Sequence, residues 1–410
     1  MMKDTFWSVF PLLLGTVFLM LGNGMLGTLL SVRVLIGGAS EIATGMMMSA
    51  YFFGLIIASL RVSTVIASVG HIRAFAVFAS MYSAAVLAHG LDDGLIYWLV
   101  LRCIEGICTC GFFMCTESWL NAKSNNQVRG KILSAYMCAV YLSQGTGQFL
   151  LNMADPQSFA MLAFVSIMMS IALVPVALTK VKEPEKPSSA RMSFKRLISL
   201  SPLGVFACLV SGLVAGGVYG LGPVYADRLG LDISGTATLM AVVILGGLLF
   251  QWPIGGLSDR IDRRHVIAIT IVMSMLCSVV LFYAQLEYWL LMLMIGLFGG
   301  FSFSLYPLAI SHTNDFIEHD DLVSASGALV LIYSIAAMIS PFLGGVIMKQ
   351  WGAEGFPLYF IFITILGGGF TIYRIIYGET ISEEDRGAYQ VVPRTSSLAV
   401  ELSTDEEEPN

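Results

Sequence analysis

Twelve stretches of mostly apolar sequence, each about twenty residues long, follow one another along this chain, and a helix needs about that length to cross a hydrocarbon core. They fall near 7–30, 41–62, 72–90, 96–120, 130–153, 158–179, 203–226, 236–257, 266–284, 289–311, 323–347 and 355–377. So many apolar runs leave no polar face for water, so lipid is the expected solvent. Only 12% of the 410 residues are charged, where a soluble domain carries about a quarter. The period-two alternation of a membrane barrel is absent. Breaks between runs carry turn and cap chemistry instead, as in Gly37-Gly38-Ala39-Ser40, Asp92-Asp93-Gly94, Asp155-Pro156 and Asp232-Ile233-Ser234-Gly235. The expected fold is all-α, with twelve membrane helices. The first run, 6–30, lacks a clear small-residue cleavage site and is read as a span, not a signal peptide.

Lys and Arg set the orientation. One set of connections holds Arg61 and Arg73; Lys123, Arg129 and Lys131; Arg260, Arg263 and Arg264; and Arg374, Arg386 and Arg394. The opposite set keeps only Arg33, Arg228 and Lys349. Both termini are therefore expected in the cytoplasm. One inner connection, His312–Leu322, breaks the pattern by having no Lys or Arg.

Residues 180–202 form the one long linker, too polar and proline-broken to span, with Met192, Phe194, Leu197 and Ile198 as the apolar side of a short interfacial helix. The linker divides a six-helix bundle over 1–179 from a second over 203–377. Tyr97-Trp98-Leu99 recurs as Tyr288-Trp289-Leu290 at matching places in the two halves, as an internal duplication would leave it. Residues 378–410 are acidic, lack a packable face and are expected to be disordered. That tail supplies most of the net charge of −6, which is no guide to partners. All seven cysteines lie in apolar segments without metal spacing and read as packing residues.

The densest charge lies in Gly255-Gly256-Leu257-Ser258-Asp259-Arg260-Ile261-Asp262-Arg263-Arg264, at the eighth-to-ninth turn. With the twelve spans and the basic central linker, this block resembles the signature of the major facilitator superfamily, Gly-x-Leu-x-Asp-Arg-x-Gly-Arg-Arg. Here Asp262 replaces the signature's last glycine. The first-half copy keeps Gly70 and Arg73, but Ala67 and Ser68 stand in place of Asp-Arg. Glu117-Ser118-Trp119-Leu120-Asn121, Arg129-Gly130-Lys131, Gln251-Trp252-Pro253-Ile254-Gly255 and Leu305-Tyr306-Pro307 are similar to the YcaD-type branch. The resemblance implies secondary active transport by alternating access. It is nearly silent on cargo.

Ionisable side chains within a span are costly and mark function by default. Arg102 and Glu105, three residues apart on the fourth span, can pair, and Arg102–Gly106 fits the superfamily's Arg-x-x-x-Gly pattern in this helix, linked in some members to proton handling. They are the candidates for proton coupling, with Glu105 as the titrating carboxyl. The alternative is an Arg102 that snorkels to the outer surface with Glu105 as counter-ion. Asp259, Arg260, Arg263, Glu117 and Arg129 share the cytoplasmic side and are expected to form a gate that holds the halves together in the outward-open state, the alternative being anchorage at headgroup level.

Neutral polar residues in spans can face a central cavity. The candidates are Asn23, Tyr141, Gln144, Gln148, Tyr219, Tyr225, Gln251, Tyr306 and Tyr333, of which Gln144 and Gln148 lie one helical turn apart. A mostly neutral lining suits a small organic solute, with protons as the coupling ion. No Gly-x-x-x-x-Gly-Lys phosphate loop or His-Glu-x-x-His site occurs, so neither an ATPase nor a membrane enzyme is expected. No cofactor, metal or nucleic acid is implied. The expectation is a monomeric, multi-pass plasma-membrane protein, placed in the inner membrane if the cell is a Gram-negative bacterium. The competing reading is a solute-sensing receptor that signals through the acidic tail.

Overall fold

The computed structural model describes residues 2–123, 129–178, 192–283, 286–318 and 321–378, together with 386, 387, 389, 391, 392 and 394. Fourteen α-helices and no strand occur among the described residues. The first half holds α1 (Met2–Ile36), α2 (Glu41–Val69), α3 (His71–Ala88), α4 (Leu95–Lys123), α5 (Arg129–Gly147) and α6 (Phe159–Ala177). The short α7 (Phe194–Leu200) precedes α8 (Pro202–Arg228), α9 (Ile233–Ser258), α10 (Arg263–Tyr283), α11 (Tyr288–Phe303), α12 (Leu305–Asn314), α13 (Leu322–Trp351) and α14 (Gly355–Tyr377).

Ten segments of the described chain are long and apolar enough to cross a membrane, and one of them, Leu322–Tyr377, contains both α13 and α14. The expected fifth span is α5 plus a 3₁₀ turn, Gln148–Met153. Ser143, Gln144 and Thr146 make that stretch more polar than its neighbours. The expected tenth span is broken at Ser304 into α11 and α12. Pro307 explains the break: its ring displaces the carbonyl four residues back, that of Phe303, and it has no N–H to offer it.

The turns have the local chemistry the sequence predicts. Ser40 Oγ accepts the Ala43 N–H at 3.3 Å, and Asp232 Oδ1 accepts the Gly235 N–H at 2.7 Å, so both helix starts are capped. The preceding turns use Gly38 and Gly230 at φ +78° and +73°, where a side chain would be strained.

Each half closes on itself. In the first, α2 and α3 pack on α4, while α1 packs on α5 and α6. In the second, α8 packs on α12, α13 and α14, and α9 packs on α11. Lipid gives no hydrophobic drive between helices, so the association rests on close backbone approach. At the α2–α4 crossing a Cβ on Gly106 would stand 2.0 Å from the Tyr51 carbonyl, and one on Gly54 2.1 Å from that of Cys103. The halves meet through α2 against α13 and α8, and α5 against α9. Arg228, just before the α8–α9 turn, forms an ion pair across this seam with Glu41, at the start of α2.

The linker's short helix is present as α7. Leu197 is fully buried, Phe194 and Ile198 are exposed, and Arg196 pairs with Asp321 at 2.7 Å. The rest of the linker, 179–191, lies outside the described residues. The tail differs from expectation: instead of lacking contacts throughout, residues 386–394 pack into the bundle wherever they are described, with Val392 in the core. The cause is that Val391, Val392 and Tyr389 give this short stretch an apolar side that the acidic ends of the tail lack.

Candidate functional site: the central cavity

A cavity of about 110 Å³ lies where the two halves face each other. Asn23 from α1, Tyr51 from α2, Arg102 from α4, Gln144 at the end of α5, Gln148 at the start of the 3₁₀ turn that follows it, Tyr219 from α8 and Tyr333 from α13 line it. Of the expected lining residues, Tyr141 also faces it, whereas Gln251, Tyr225 and Tyr306 are not among its walls. Tyr306 is buried behind Tyr333, ring centroids 5.1 Å apart, and Tyr225 stacks on Phe356 at 4.4 Å. Gln251 is buried in α9.

The polar lining is tied together by hydrogen bonds, most of them between lining residues. Gln148 Nε2 donates to the Gly24 carbonyl at 2.6 Å, and its Oε1 accepts Thr28 Oγ1 at 2.7 Å, so this side chain ties α5 to α1. Asn23 Oδ1 accepts the Tyr82 hydroxyl at 2.9 Å. Gln144 Oε1 accepts the Tyr219 hydroxyl at 3.5 Å, a weak bond that joins the two halves across the cavity. Gln148 is thus committed within the first half, while Gln144 and Tyr219 can exchange this long bond for one to a ligand.

Arg102 and Glu105 form a buried ion pair, Nη1 to Oε2 at 2.7 Å. Arg102 is only 2% exposed, which excludes snorkelling to the surface in this structure. Its guanidinium carbon lies 4.7 Å from the centre of the Tyr51 ring, so the charge is spread over a cation–π contact as well. Glu105 has a second polar neighbour that the sequence did not single out. His89, fully buried at the end of α3, places Nδ1 3.5 Å from Oε1 and 2.9 Å from the Ala85 carbonyl. A carbonyl can only accept, so Nδ1 carries a proton. The other face of the imidazole rests edge-on against Trp98, 5.2 Å away.

The charged turn at Asp259–Arg264 is organised around Arg263. This side chain, 2% exposed, donates to both Asp315 oxygens at 2.5 Å, to the Ser311 carbonyl at 2.9 Å and to Ser258 Oγ at 3.2 Å. Asp259 lies 3.7 Å from it and Arg260 is exposed. Glu117 is buried in α4 and accepts the Tyr136 hydroxyl at 3.1 Å. The Arg129 side chain lies outside the described residues. The named Arg263 bonds therefore stay within the second half and the tail. Burial pushes the Asp315 carboxyl above its ordinary range although Arg263 opposes this, whereas the Arg264 N–H and guanidinium hold Asp262 below it against burial. Asp315 was not a predicted site residue, but its connection is the one without Lys or Arg in the set expected on the inner side.

The tail enters the same region. Arg263 donates to the Gly387 carbonyl, Asp315 Oδ1 accepts the Gly387 N–H at 3.1 Å, and Asp259 Oδ1 accepts the Tyr389 N–H at 2.8 Å. Further along, Arg394 lines the cavity, donating to the Phe303 carbonyl at 2.7 Å.

Two facing helical halves around a cavity whose mostly apolar walls carry a few hydrogen-bonding groups, with a buried ion pair beside it, suit a membrane carrier, and the sequence profile of the Major Facilitator Superfamily matches residues 12–252 and 228–391. The chain belongs to that superfamily and is a multi-pass membrane transporter, not an enzyme. Within it the chain is of the YcaD type. It is 28% identical over 345 residues to the uncharacterized MFS-type transporter YcaD of Escherichia fergusonii, spanning 84% of this chain and 89% of that one, and equally to YcaD of Shigella flexneri. The fold is similar to a mutant form of the nucleoside transporter NupG, with a TM-score of 0.76, 12% identity and coverage of 89% of this chain and 99% of that one. It is also similar to a bacterial homolog of the human lysosomal transporter Spinster in an inward-facing, occupied conformation, at a TM-score of 0.72, 14% identity and coverage of 93% and 98%.

Proposed function

We propose that this protein is a secondary active transporter that moves a small organic solute through the central cavity by alternating access, driven by protons. The observation that carries the reading is the Arg102–Glu105 pair, buried at 2.7 Å beside a lining of neutral hydrogen-bonding groups. An ion pair held out of water is costly, and replacing it with apolar residues would often stabilise a protein. Its place next to the cavity fits a proton site whose charge is read by the cargo-binding state. Glu105 takes and releases the proton, Arg102 stabilises the carboxylate, and His89 stands behind Glu105 as a second polar neighbour.

The topology that accompanies this reading has twelve spans in two bundles, 1–179 and 203–377, joined by the 180–202 linker, with the Asp259–Arg264 turn in the cytoplasm. In that orientation the Arg228–Glu41 pair joins the halves at the outer end, which supports reading this state as one closed to the outside. Asp259, Arg260, Arg263, Glu117 and Arg129 are then the parts of an inner gate that assembles when the halves rock. The enterobacterial relatives favour the plasma membrane of a Gram-negative cell. NupG is a nucleoside transporter and the name of the Spinster homolog gives no cargo, so the fold neighbours do not choose one for this chain. A receptor signalling through the tail draws no support from these relatives.

The test is a thermal-shift screen of small organic solutes on purified protein, followed by uptake of any stabilising solute into proteoliposomes with and without a pH gradient. Stabilisation by mass action and gradient-driven accumulation are expected. A solute that binds but equilibrates without regard to the gradient would contradict proton drive.

A further inference from the structure

We infer that the Phe303 carbonyl and the ring faces of Phe303 and Tyr141 form a subsite for an organic cation, and that Arg394 of this chain's own tail occupies it as an internal ligand. The inference rests on reading the central cavity as the cargo site. The subsite has a local origin. Pro307 cannot donate to the carbonyl four residues before it, so the helix breaks after Phe303 and that carbonyl is left without its usual partner inside a helical bundle. Arg394 Nη2 takes this acceptor at 2.7 Å. The guanidinium carbon stands 4.3 Å from the centre of the Phe303 ring and 5.9 Å from that of Tyr141. Two aromatic faces and a carbonyl recognise a diffuse cation without a carboxylate. Arg102, the other cation of the cavity, is matched by Glu105.

The described residues of the tail are held to this position at several points. Asp315 and Arg263 grip both backbone groups of Gly387, Asp259 accepts the Tyr389 N–H, and the Tyr389 ring fills the space beside Gly255, where a Cβ would come within 2.3 Å of it. Val392 is 4% exposed. The acid and arginine of the superfamily turn thus hold the segment that fills the cavity. Cargo and tail compete for one place, so the tail sets how much cavity is free.

Limited trypsin digestion of the full-length protein reads the occupancy without any cargo. Cleavage after Arg394 should be about tenfold slower in the wild type than in Tyr389→Ala, because proteolysis follows the population of the released segment. A fluorescein-labelled peptide of residues 386–394 should bind the full-length Arg394→Ala variant and not the wild type. Agmatine should displace it, and the same peptide with citrulline at its last position should fail to bind. Equal cleavage in wild type and Tyr389→Ala, equal peptide binding to wild type and Arg394→Ala, or binding by the citrulline peptide would each overturn the inference. None of these readouts needs flux, so they stand apart from the test of transport.

Discussion

Arg228 and Glu41 are joined by an ion pair that links the end of α8 to the start of α2, on the seam between the two halves. Glu41 is 7% exposed and the Arg228 side chain half-exposed, so water screens one partner more than the other. The pair joins the two halves at one end, and under the proposed alternating access its loss should free that end. Spin labels at Ile36 and Leu229, both exposed, measure the opening. In Arg228→Ala the fraction of long distances should rise by up to about fivefold, the effect of roughly 1 kcal/mol from a partly exposed pair. An unchanged distance distribution would remove this pair from the gating machinery.

The buried pair should behave asymmetrically. Arg102→Ala alone leaves a carboxylate in the interior and should cost about 3–5 kcal/mol of stability, while Arg102→Met with Glu105→Leu should cost far less. Thermal denaturation of the single and double variants checks this. A double variant as unstable as the single would mean that the pair is a structural staple.

How much of this could be read from the sequence differs by the range of the contact. Arg102 and Glu105 lie three residues apart on one helix, so spacing alone places them together, and the cost of charge in lipid marks them. Gln144 and Gln148 share a face for the same reason, although Gln148 is spent on bonding Gly24 and Thr28. Arg263 and Asp315 are 52 residues apart, and Arg394 and Phe303 are 91 apart. Helix periodicity carries no information over such distances. The missing Lys and Arg in 312–322 and the Val391-Val392 pair within an acidic tail were the available signals, and both become legible only once the packing is known.

Helix packing gives a separate test. The Gly106 backbone approaches the Tyr51 carbonyl so closely that an added methyl would collide at 2.0 Å. Gly106→Ala should push α4 from α2 and cost about 1–3 kcal/mol, the usual scale of overpacking. Melting curves of the variant read the loss directly. Because Tyr51 also covers the Arg102 guanidinium, ligand binding should weaken with it.

The long bond between Gln144 and Tyr219 predicts a modest effect on affinity. Tyr219→Phe removes one neutral hydrogen bond, worth about 0.5–1.5 kcal/mol, so the Kd of a stabilising solute should rise about threefold to tenfold. Isothermal titration with the solute found by thermal shift supplies the value. No change in Kd would take Tyr219 out of the binding site.

Solute-dependent proton flux in proteoliposomes, followed with a trapped pH dye, tests the central claim most directly. The wild type should move protons only when the solute is present, and Glu105→Gln should still bind the solute while this proton flux falls to the rate of empty liposomes. Full solute-dependent proton flux in Glu105→Gln would contradict the account.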